Sequence, residues 1–177
     1  LDRLFANTGY VLFVSAAWTA LFHLNDFLFN AAEVAPLVAL FFASGFKAVA
    51  VLLFGLPDAI GLILGAALTS PTIVAPNYVT ALMIVSNGVV AWGVFTMMCQ
   101  SSAYRTQLTA DMADLTLRTI VVFAALTALA SSTTNSFLIS LSPDLSSSSG
   151  LLLSMFAGDA IGAVLMLYLL SIFSPMV

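Results

Sequence analysis

The chain has 177 residues, of which 62% are hydrophobic and only 7% charged, with a formal net charge of -4. A soluble domain carries about 25% charged residues because its surface faces water. Four Lys and Arg with eight Asp and Glu do not clothe a soluble domain of this size, so lipid is the expected solvent for most of the surface. The lack of a basic stripe speaks against nucleic acid as a partner, and the single cysteine, Cys99, excludes an internal disulfide and a multi-cysteine metal site.

A helix needs about 20 mostly apolar residues to cross the roughly 30 Å hydrocarbon core. The first such stretch is 4–24, closed by Asn25-Asp26. The second is 32–54, with Pro36 near its start, where a missing N–H costs least. It ends at Gly55-Leu56-Pro57-Asp58. The third, 59–68, is short and stops at Ser70-Pro71, so it reads as a thin, tilted or re-entrant span. The fourth is 78–98, the fifth 115–141 with a polar second half (Ser131 to Ser136), and the sixth 151–173. Polar loops are expected at 100–114 and 142–150. The expected fold is a single all-α integral membrane domain over 1–177, a bundle of about six transmembrane helices. The chain begins at Leu1, not Met, and no signal peptide is expected.

Basic residues set the orientation. With six spans, Arg3, the Gly55 turn, Arg105 and Arg118 share one face, the expected cytoplasmic side, with both termini. The opposite loops carry Asp26, Glu33 and Asp144 and no Lys or Arg. A re-entrant third segment removes this asymmetry.

Two charges fall inside spans. Lys47 lies two turns from the end of the second, where a lysine costs on the order of 2.5–3.5 kcal/mol on insertion scales. It is expected to snorkel or pair, or to contact a ligand or partner. Asp159 lies well inside the sixth span, and its short side chain must be paired, hydrogen-bonded, protonated or next to water. The two differ in expected depth by roughly 8 Å at 1.5 Å per residue, a gap that a lysine stem bridges in part. A Lys47–Asp159 pair that fixes the fold is the economical expectation, with a proton relay as the alternative. Asn87 and Asn135 are the other partners open to Asp159. Gly61 with Gly65, and Gly158 with Gly162, are small residues at i, i+4 spacing that let helices approach closely.

The remaining signals are weaker. His23, the one histidine, is expected to hydrogen-bond at the outer interface. Trp18, Trp92 and the four tyrosines are scattered, and some fit interfacial belts. The hydroxyls of Ser131 to Ser136 line a polar cavity or bond back to their own helix. With no nucleophile–base arrangement, phosphate loop or zinc motif, neither catalysis nor a cofactor is expected.

The stretch from Ala43-Ser44-Gly45-Phe46-Lys47 through Leu53-Phe54-Gly55, continuing to Gly61-Leu62-Ile63-Leu64-Gly65-Ala66, resembles the early core of a known family. So does Phe156-Ala157-Gly158-Asp159-Ala160-Ile161-Gly162 with the apolar run after it. The family is the first type of bacterial membrane-associated sensor domain. Ala43 and Pro57-Asp58 stand where that family often has Pro and Trp. The resemblance implies a non-catalytic sensory or ligand-binding module of the bacterial cytoplasmic membrane, with Lys47 and Asp159 in its polar core. Two other roles suit a short-looped bundle. One is an accessory subunit of a respiratory or photosynthetic complex, and the other is the substrate-binding component of a small-molecule importer. Membrane lipids and either other membrane subunits or a signalling protein are the expected partners.

Overall fold

A computed structural model describes residues 2–30, 41–70, 78–105, 108, 116–141 and 151–173. Among these residues there are six helices and no strand: α1 (Asp2–Asn30), α2 (Phe41–Phe54), α3 (Leu56–Thr69), α4 (Tyr78–Gln100), α5 (Leu117–Ser140) and α6 (Leu151–Phe173). Two of them, α4 and α5, are long and apolar enough to cross a membrane. The expected loop at 142–150, with Asp144, lies outside the described residues, as do Glu33 and Pro36 at the start of the second expected span.

Helix limits differ from the apolar stretches for local reasons. Asn25-Asp26 does not end α1, which continues to Asn30. A polar pair interrupts hydrophobicity but not the backbone hydrogen-bond ladder, and Asn25 is itself buried. Between α2 and α3 the break is sharp. Gly55 has φ +70°, a conformation that side chains rarely adopt. Its N–H still bonds to Val51 O (2.9 Å), closing α2. Pro57 then sits in the first turn of α3, where no N–H is required. Helix α3 is 14 residues, about 21 Å, shorter than a hydrocarbon core. Helix α5 opens on a cap, Thr116 Oγ1 accepting from Thr119 N at 3.3 Å.

Close approaches between helices fix their directions. A Cβ on Gly61 would meet Val11 O at 2.8 Å and Val14, and one on Gly65 would meet Trp18 at 2.8 Å. Residue numbers therefore rise together along α1 and α3, which run parallel. Trp18 is buried in this contact, and its Nε1 donates to Thr69 Oγ1 at 3.4 Å. Thr69 in turn donates to its own helix at Gly65 O, 3.1 Å.

Helices α4 and α5 run antiparallel. Tyr78 donates to Leu141 O (3.2 Å), Ser86 to Asn135 Oδ1 (3.2 Å), and Phe95 meets Phe123 edge-on at 6.3 Å between centroids. Along α5, Ile120 and Phe123 lie against Leu52 of α2, while Thr127 and Ala128 lie against Lys47. Hence α2 is also antiparallel to α5. Helix α2 packs against all five other helices and most heavily against α6. The core it organises includes Val51, Leu62, Ala91 and Phe123.

Candidate functional site

The charged seam lies between α2, α5 and α6. Lys47 is 3% exposed and Asp159 8% exposed. Both line one narrow seam with Ala48, Thr127, Ala128 and Ala163, and the seam has no room for a water molecule. Asp159 is the charge that acts on Lys47. The lysine stem therefore stays inside the bundle instead of snorkelling out. Small side chains make this possible, because three of the lining residues named here are alanines, which leave the four-carbon stem its space.

A closer contact supports the seam from the adjoining turn. A Cβ on Gly45 would run into the backbone of Gly162 and Ala163, so α2 and α6 touch there almost backbone to backbone. Gly162, a predicted packing residue, is buried at this crossing, and Gly158 is half-buried one turn away. Gly45 was not among the predicted packing residues. Its signal was available, since it is a small residue two positions from the one lysine inside a span. Gly88 is a second such residue, because a Cβ there would run into Ala59 O of α3.

The other predicted polar residues sit elsewhere. Asn87 donates to Met83 O of its own helix at 3.0 Å, and Asn135 accepts from Ser86. Neither lines the seam. Along the polar half of α5, Ser132 and Thr133 bond back to Leu129 O at 3.1 and 2.8 Å. Thr127, Ser131 and Ser136 differ, because each buries a hydroxyl that has no hydrogen-bond partner among the described residues. His23 is exposed at the far part of α1, edge-on to Phe22 at 5.7 Å. Among the described residues no three His, Cys, Asp or Glu side chains gather as a metal site.

A third buried charge was not singled out by sequence reasoning. Asp58 follows Pro57 in the α2–α3 turn, ahead of the apolar stretch 59–68, and is fully buried. Among the described residues, neither of its carboxylate oxygens has a hydrogen-bond partner. Its signal in the sequence was an acid held between a proline and an apolar run, which reads as an ordinary polar turn.

No known protein family, curated protein or solved structure matches the chain.

Proposed function

We propose that the chain is a non-catalytic integral membrane protein whose six helices all lie in the bilayer, and that it works as a membrane sensory module. The observation that carries this reading is the buried Lys47–Asp159 seam in an otherwise apolar bundle. A buried ion pair adds little stability over apolar residues of the same shape, so a purely structural bundle has no need of one. Here the two charges tie the helix that bears the Leu-Phe-Gly motif to the last helix. A change at the seam is therefore felt directly along α6. The up-and-down helix directions support six spans, with Arg3, Arg105, Arg118 and the Gly55 turn on one, cytoplasmic, face. The bacterial cytoplasmic membrane is the proposed site.

A second reading, an accessory subunit of a larger membrane complex, has its own support. Large apolar side chains stand exposed along α1 (Phe13, Phe27) and α4 (Val89, Met97), a surface that suits lipid or a neighbouring subunit. Gentle solubilisation of the native membrane, native electrophoresis and mass spectrometry separate the two. A free bundle, or one bound only to a signalling protein, is the expected result. Co-migration with a bioenergetic complex replaces the sensory reading with the accessory one.

A further inference from the structure

Several part-buried hydroxyls in the bundle bond to a carbonyl three or four residues back, as Thr19, Ser86 and Thr96 do. Asp58 has no such solution. An acid in the first turn of a helix ordinarily accepts from the N-cap N–H or a neighbouring N–H. Here the Gly55 N–H is already spent on Val51 O, and Pro57 has no N–H to give. Among the described residues, the helices packed against α3 bring no countercharge either. Among their described titratable side chains are Tyr10, His23 and Asp26 on α1, Lys47 on α2, and Tyr78 and Cys99 on α4. None of these acts on Asp58, on which burial is the sole influence, and Lys47 is engaged by Asp159.

Close glycine contacts flank the start of α3, Gly61 packing onto α1 and Gly88 of α4 onto Ala59, the residue next to Asp58. A buried carboxylate without a countercharge or hydrogen bond is strongly disfavoured, and such a group takes up a proton instead.

We propose that Asp58 is a proton-binding site on the same face of the bundle as the arginines, and that the proton is the ligand to which the module responds. This rests on the sensory reading above. The proton comes from the adjoining aqueous phase and adds to one carboxylate oxygen, forming an O–H bond. Its release returns the carboxylate and gives the proton back to water, with nothing oxidised or reduced. Once ionised, Asp58 must be hydrated, which parts α3 from α1 and α4. The Gly55 turn, at a φ open to glycine, is the place where the chain yields.

The test is infrared spectroscopy of the full chain in phosphatidylethanolamine–phosphatidylglycerol vesicles, titrated from acid to alkaline pH. A carbonyl stretch of a protonated carboxylic acid is expected at neutral pH and is lost on alkaline titration. Asp58→Asn, which mimics the neutral acid, abolishes this band, whereas Asp159→Asn keeps it. Labelling the aspartates of the unaltered protein with carbon-13 shifts the same band, which keeps the test independent of whether either variant folds. A band that disappears in the ordinary carboxylate range, survives Asp58→Asn or does not shift with the label overturns the proposal. So does a carboxylate signal at all pH values that responds to added sodium, because the site then holds a cation. The band reports the proton whether or not the chain signals. Its absence leaves the sensory reading standing, and co-migration with a complex leaves the band unchanged.

Discussion

Asp159 and Asp58 are both buried in the bundle, yet they meet the same physical problem in opposite ways. Asp159 shares its seam with a lysine, so an opposite charge lies within reach of it. Asp58 has burial without a countercharge or a hydrogen bond among the described residues. The first arrangement makes each residue depend on the other. The second makes the residue depend on a proton. The comparison teaches that burial of an acid does not by itself reveal its role, whereas its surroundings do.

The largest expected effect tests the dependence of the pair. Lys47→Met strands Asp159 and costs about 3–5 kcal/mol in a reversible unfolding titration in mixed micelles. Lys47→Met combined with Asp159→Leu recovers most of that loss, and strict additivity of the two single changes would show that they do not act as a pair. Next comes the contact that holds the seam closed. Gly45→Ala pushes a methyl into the Gly162 backbone and costs about 1–3 kcal/mol in the same assay. It should also shrink the coupling energy between Lys47 and Asp159, since it moves α2 off α6.

Asp58 should behave differently. Asp58→Asn should leave stability at acidic pH within about 0.5 kcal/mol of the unaltered protein, because an amide replaces a neutral acid. The difference grows as pH rises. The folded chain holds a proton at Asp58 that the unfolded chain releases, so the unaltered protein loses stability with rising pH until that carboxyl has ionised. A parallel pH profile for the two proteins would remove the contrast between the aspartates. The smallest effect is expected at Thr127. Thr127→Val keeps the shape and removes a buried hydroxyl that has no partner, and it should stabilise by up to about 1 kcal/mol.

Much of the fold was legible because apolar length is written along the chain. The stretches 78–98 and 151–173 nearly coincide with α4 and α6. The end of the first helix was not legible, because Asn25-Asp26 breaks hydrophobicity without breaking helix geometry. Lys47 and Asp159 stood out as charges in apolar runs, and their estimated 8 Å offset left pairing open. Helix crossing at Gly45 and Gly162, together with the lysine stem, brings them to one seam. Asp58 was passed over because a Pro-Asp turn is ordinary in a sequence and its burial comes entirely from other helices.

The sequence by itself determined the all-helical class, the approximate helix positions and the scarcity of charge, because each depends on composition and local periodicity. Tertiary structure alone decided which charges have partners. A countercharge or a route for water comes from residues far apart in the chain, placed by how closely glycine lets two helix backbones meet.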